Sequence, residues 1–115
     1  MDSREAAQRW ADVWERGWRE HDADAIAALY AEGASWQQHP FREPEPGYVA
    51  RVFDEEESAS CRFGTPIVDG NRAAVPWTAQ TTLADGGIED LVGVSLLRFD
   101  GDGLVVEQRD VWVGR

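Results

Sequence analysis

In the first half of the chain apolar side chains recur at helical spacing, and from Ser58 onward they gather in long runs broken by turn residues. Trp10, Val13, Trp14 and Trp18 fall on one helical face. Asp2 followed three positions later by Glu5 has the form of a capping pair, so the pattern predicts a first helix over Ser3–Arg19. Its three tryptophans step by four residues and form one broad stripe, which reads as core. Asp22 is a good N-cap, Asp24 suits the positive end of a helix, and Ala25, Ile26, Leu29 and Tyr30 supply an apolar face before Gly33. A short second helix stopped by Gly33 follows, with His21 exposed in the joint. Residues 34–39 read as extended until Pro40, and residues 42–47 carry too much proline for regular structure. Tyr48, Val49, Val52 and Phe53 then predict a third helix that ends among the acidic residues 54–57.

The second half predicts strands over Cys61–Val68, Ala73–Leu83, Ile88–Phe99 and Leu104–Trp112. The intervening Asp69-Gly70-Asn71-Arg72, Asp85-Gly86-Gly87 and Asp100-Gly101-Asp102-Gly103 are turn signals, and gaps this short make the strands antiparallel neighbours. Pro76, inside the second run, points to a bulge or an edge position. Helices followed by a four-stranded meander give an α+β fold with the helices on one face of the sheet. No repeat or linker divides residues 1–115, so one domain is expected.

Composition narrows the function. A chain of 115 residues with 43% hydrophobic content builds one core of modest stability, for which a second subunit is a common support. A formal net charge of −11 disfavours nucleic acid and membrane surfaces, since both are bound through clustered positive charge. Every basic residue is arginine, which removes Schiff-base chemistry, pyridoxal phosphate attachment and the phosphate-loop lysine. Cys61 stands alone, so neither an intramolecular disulfide nor a thiolate metal cluster is open to it, and it reads as a small buried apolar residue. His21 and His39 lack metal-binding spacing and no glycine-rich dinucleotide fingerprint is present, so neither a metal nor another cofactor is expected. Met1-Asp2-Ser3-Arg4-Glu5 has no apolar leader core and no run approaches membrane-spanning length, which makes a cytoplasmic location the expectation.

Three phrases carry a family resemblance: residues 22–34 (Asp-Ala-Asp-Ala-Ile-Ala-Ala-Leu-Tyr-Ala-Glu-Gly-Ala), the Val68-Asp-Gly-Asn-Arg-Ala-Ala-Val turn and the closing Gly103-Leu-Val-Val-Glu-Gln-Arg-Asp-Val-Trp. With the order of elements, they resemble the SnoaL-like and ketosteroid-isomerase-like branches of the nuclear transport factor 2-like superfamily over nearly the whole chain. The resemblance implies a curved antiparallel sheet packed against three N-terminal helices as a cone, with one cavity between them. That fold hosts isomerases, cyclases, hydrolases, dehydratases and non-catalytic binders. The isomerase positions are occupied by Trp14, His39 and Ser95 in place of the expected tyrosine and two aspartates, so ketosteroid isomerisation in its usual form is not expected. The arginine and aspartate that limonene epoxide hydrolases place on the preceding strand have no counterpart in Leu91-Val-Gly-Val-Ser-Leu. Asp110 stands where the resemblance to SnoaL-type cyclases puts the acid/base aspartate.

If Asp110 faces the cavity, strand alternation turns Gln108 and Trp112 inward with it and sends Glu107, Arg109 and Val111 outward. Anchored on the resemblance, the same parity turns Gly93, Ser95 and Leu97 inward, and Val75, Trp77 and Ala79, while Gln37 and His39 share a direction. The expected lining is therefore Trp14, Tyr30, Phe53, Trp77, Leu97 and Trp112, with Gln37, His39, Ser95, Gln108 and Asp110 as polar anchors. A flat aromatic or other small apolar metabolite suits such a wall. His39 and Asp110 are the candidate catalytic pair, the carboxylate holding the imidazole in one tautomer as a general base. Against this stand a structural pairing of Asp110 with Arg98 or Arg109, and two whole-protein alternatives: a non-catalytic ligand-binding or dimerisation module, and a purely structural role with the cone filled. The outward row of Glu107, Arg109 and Val111 marks the sheet as the expected homodimer surface.

Overall fold

The computed structural model describes all residues from Met1 to Arg115. Helix α1 (Ser3–Glu20) begins where Asp2 accepts the Glu5 backbone N–H at 2.8 Å. It ends in a Schellman-type turn in which His21, at φ 53°, takes the left-handed position that glycine usually fills. Helix α2 (Ala23–Ala27) is capped by the Asp22 carboxylate and is shorter than expected. Leu29 and Tyr30 leave the helix because strand β1 (Tyr30–Gln37) starts there, and Gly33 at φ 75° lies in an irregular stretch of that strand, where it ends no helix.

Helix α3 (Tyr48–Glu55) matches expectation. The first predicted strand resolves into β2 (Glu56–Phe63) and β3 (Ile67–Asp69), separated by Gly64-Thr65-Pro66, and begins five residues earlier than read, inside the acidic run. Strands β4 (Arg72–Leu83), β5 (Ile88–Phe99) and β6 (Val105–Gly114) follow the predicted meander. The sheet order is β1-β6-β5-β4-β2, with β3 also on β4; β1 runs parallel to β6 and every other pair is antiparallel.

Pro76 is not on an edge strand, because β4 is flanked on both sides; it lies where the pairing slips by one residue, from Phe63–Trp77 to Ile67–Ala74, the bulge that its place in the run pointed to. Its carbonyl accepts from Gly64 N at 2.7 Å, at the break between β2 and β3. In an antiparallel strand the N and O of one residue point the same way, so the missing N–H falls at that break and costs no ladder bond.

The core lies between the inner face of the sheet and one face of α1, which buries Ala6, Ala7, Trp10, Ala11, Trp14 and Trp18. Three cross-strand rows face it: Ala73–Leu97–Gln108, Val75–Ser95–Asp110 and Trp77–Gly93–Trp112. The inward parity read from Asp110 thus holds across three strands. The last row depends on its glycine. A Cβ on Gly93 would stand 2.6 Å from the Trp112 Cβ and 2.6 Å from the Val111 carbonyl oxygen, so the two indoles approach only across a residue without a side chain. Gly93→Ala is expected to cost roughly 1–3 kcal/mol by overpacking, read as a lower urea midpoint at unchanged m-value.

Candidate functional site

A cavity of about 230 Å³ opens between the sheet, α1 and α3, and all six tryptophans of the chain line it. Most small-molecule pockets for drug-sized ligands run from about 300 to 1,000 Å³, and an engineered cavity near 150 Å³ takes benzene. The volume therefore suits a compact ligand of one or two rings. Helix α3 forms one wall with Tyr48, Val49, Val52 and Phe53, none of them fully buried. A half-buried apolar face on a short helix is what an open cavity beneath it produces.

Asp110 is the polar centre. It is 8% exposed, and its carboxylate accepts from Ser95 Oγ at 2.7 Å, Trp36 Nε1 at 2.7 Å and Gln108 Nε2 at 3.0 Å. These donors come from β5, β1 and β6, so each neighbouring strand supplies one. Burial pushes the Asp110 pKa up to about 6, against the pull of the three hydrogen bonds. The structural pairing with arginine does not form: Arg98 bonds Glu107 at 3.8 Å, Arg109 is exposed, and none of the ion pairs includes Asp110.

The network extends inward from this centre. Tyr30 donates to Gln108 Oε1 and accepts from Trp14 Nε1 at 3.0 Å and Trp10 Nε1 at 3.3 Å. Burial drives its phenol pKa well above the ordinary value, so it stays a neutral relay. Trp77 Nε1 donates to Ser95 Oγ at 3.0 Å. Every hydroxyl and amide around Asp110 is thereby oriented by a further group.

Of the residues expected to line the cavity, Trp14, Phe53, Trp77, Ser95, Gln108, Asp110 and Trp112 do so. Tyr30 and Leu97 lie behind the wall, Tyr30 in the network and Leu97 in the core. Gln37 and His39 are not brought to the cavity. Parallel pairing sets Trp36 opposite Gln108, which turns Trp36 inward and Gln37 away, a one-residue change of register that exchanges faces. Gln37 instead reaches toward the Pro40 and Arg42 carbonyls. After it the chain turns at Pro40, and the His39 ring accepts from Phe41 N at 3.2 Å and stands edge-on to Trp112. The expected His39–Asp110 pair is not formed, and Trp36 holds the place read for it.

His21, expected to be exposed, stacks on Phe53 with ring centroids 4.5 Å apart and lies 3.2 Å from Glu56 Oε1 through Nε2. Glu56 also accepts from Trp18 Nε1 at 2.9 Å, and burial raises its pKa. Glu56 lines the cavity and was hidden in the sequence by the acidic run around it. Cys61 is half-buried against the Glu15 carbonyl, and burial pushes its thiol pKa up to about 11, in keeping with an unreactive thiol.

The chain belongs to the SnoaL-like domain family, whose pattern matches residues 7–108. None of the curated proteins is a match for it. Among solved structures it is similar to a nuclear transport factor 2-like protein of unknown function from Exiguobacterium sp., with a TM-score of 0.78 at 16% identity over 94% of this chain and 98% of that one. It is similar to SalBIII, an epoxide hydrolase/cyclase-like enzyme in pyran ring formation in the polyether salinomycin, with a TM-score of 0.79 at 19% identity over 97% and 93%. A third, from Catenulispora acidiphila, has a ketosteroid isomerase-like fold and was solved in complex with trimethylamine, with a TM-score of 0.71 at 16% identity over 86% and 81%. At these identities the likeness establishes the fold, the α+β cone of the nuclear transport factor 2-like superfamily. No helix is long and apolar enough to cross a membrane.

The pKa of Asp110 sets a dependence of stability on pH. A carboxyl whose folded pKa is raised holds its proton in the native state and not in the unfolded one, so its contribution is fully present below its unfolded pKa and is lost as pH rises through about 6. Between about pH 5 and about pH 7.5 this loss amounts to roughly 1 kcal/mol. Urea unfolding of the native chain and of Asp110→Asn at both pH values should show the native chain losing that much more than the variant.

Proposed function

We propose that this protein is a cofactor-free acid–base enzyme of the SnoaL type, acting on a small, mostly apolar molecule, with Asp110 as the proton-transfer group. The observation that carries this reading is a carboxylate nine-tenths buried in an aromatic cavity, held by three neutral donors and titrating at about 6. A pKa just below neutrality leaves most of the group ionised at pH 7 yet basic enough to remove a proton. A carboxylate has about four acceptor positions; Ser95 and Gln108 fill those of Oδ1, while Oδ2 holds Trp36 and only a longer 3.3 Å contact from the same Gln108 nitrogen, which makes Oδ2 the side open to a substrate proton. Trp36, Ser95 and Gln108 are positioning residues that fix its orientation. Isomerisation, cyclisation and hydrolysis are the reactions that one such group serves.

A second reading, non-catalytic ligand binding in the same cavity, has its own support. The fixed donors around Asp110 are almost all engaged with protein acceptors, and only the second amide N–H of Gln108 is left to hold an oxyanion, which proton abstraction next to a carbonyl requires. We further propose that two copies join through the outer face of the sheet, where Val92, Leu96, Val111 and Val113 stay exposed on adjoining strands. The cytoplasmic expectation is retained on the same footing.

A panel of cyclic enones, epoxides and β-dicarbonyl compounds separates the two readings, with tryptophan fluorescence reporting binding and product analysis reporting turnover. For an enzyme, the rate should rise with pH to a plateau above about 6, and Asp110→Asn should lower kcat by about 10²–10⁴ while quenching persists. Quenching without consumption of any compound favours the binder, and turnover unchanged in Asp110→Asn removes this mechanism. For the interface, sedimentation should give a dimer that Val111→Glu converts to a monomer with an unchanged circular dichroism spectrum.

A further inference from the structure

The cavity's hydrogen-bonding capacity is one-sided. All six indole N–H groups that reach its wall are donated to protein acceptors. Ser95 and one amide N–H of Gln108 are spent on Asp110, which leaves the second Gln108 N–H as a single fixed interior donor. What stays open inside is mostly acceptor capacity: the Oδ2 side of Asp110, where Trp36 and only the longer 3.3 Å Gln108 contact fall, and the hydroxyls of Tyr48 and Thr81, which accept as readily as they donate. The other fixed donors on the lining belong to the rim. Arg51 is tied to Glu45 and Glu55, and Arg42 is exposed, its guanidinium over the Trp112 ring at 5.4 Å.

Charge follows the same polarity. Asp110 is a buried carboxylate without a cation, and Glu56, on the same cavity, has His21 and Trp18 on one oxygen alone. The tryptophans between them line the wall, and an indole ring attracts a cation that lies over its face through its quadrupole. The net charge of −11 favours the approach of a positively charged ligand and disfavours an anion.

We propose that the cavity takes a small apolar ammonium ion, an alkyl- or arylalkylamine in its protonated form, with its N–H directed at Asp110 and its carbon skeleton against the tryptophan rings; this rests on the cavity being the ligand site. An ammonium supplies the missing counter-charge and donors together. An alcohol of the same shape supplies one donor and no charge. A carboxylate meets Asp110 and Glu56 with one amide N–H of Gln108 as the sole fixed interior donor to receive it.

Three ligands of like shape decide the matter by calorimetric titration of the unaltered protein near neutral pH and at low salt: 2-phenylethylammonium, 2-phenylethanol and 3-phenylpropionate. The ammonium should bind about tenfold or more tighter than the alcohol, and the carboxylate should bind weakest. Asp110→Asn should bring the ammonium down to the alcohol's affinity and leave the alcohol's where it was. Equal binding of alcohol and ammonium overturns the charge preference while the cavity stands as the ligand site. A carboxylate that binds tightest overturns it in favour of Arg42 as the anchor. Failure of all three overturns both the preference and the cavity as a binding site. Because the ligand comparison needs no variant, a folding defect in Asp110→Asn leaves it intact.

Discussion

A carboxylate taken out of water without a counter-ion must be solvated by fixed dipoles, and at Asp110 those dipoles tie the sheet to its surroundings. Trp36 comes from the parallel strand at the edge, Ser95 from the antiparallel neighbour and Gln108 from the same strand two residues back. Hydrogen bonds to a charged acceptor contribute about 1.5–3 kcal/mol each, yet a pKa of about 6 says that desolvation still outweighs them. The site therefore stores a modest electrostatic deficit. It is sustained by the tryptophan core around it, where Trp14 packs edge-on to both Trp18 and Trp36 and Trp18 does the same to Trp77.

Much of this was legible in the chain, for reasons that can be named. The inner face of β4, β5 and β6 follows from strand alternation once one residue is anchored, and Asp110 anchored it correctly because the three strands pair in simple antiparallel register. The first half was harder. Gln37 and His39 were placed inward because nothing local reveals that β1 pairs in parallel with β6 and so turns Trp36 to the cavity. A residue in a parallel edge strand takes its facing from a partner seventy residues away, and no periodicity within eight residues reports that.

Glu56 and His21 escaped for a different reason. An acidic run is ordinarily a solvated surface, and four carboxylates in a row give no sign of which one a strand will bury. The burial of Glu56 follows from β2 starting inside that run, where Glu56 pairs with Leu83. His21 ends α1 in a left-handed turn, and that geometry aims its ring at Phe53 and Glu56. Thus His21 ties the joint of α1 and α2 to α3 through the ring stacked on Phe53 and to the start of β2 through Glu56.

The polarity of the cavity separates this chain from the chemistry its fold is often used for. An oxyanion is stabilised by preorganised donors, and here the indoles, the tyrosine and one N–H of the glutamine face protein acceptors. Trp14 and Ser95 act in the same direction: Trp14 spends its donor on Tyr30, and Ser95 feeds Asp110. A cavity arranged so that donors converge on one aspartate and aromatic faces close around it presents negative potential to whatever enters. It favours a ligand, or a reacting centre, on which positive charge resides.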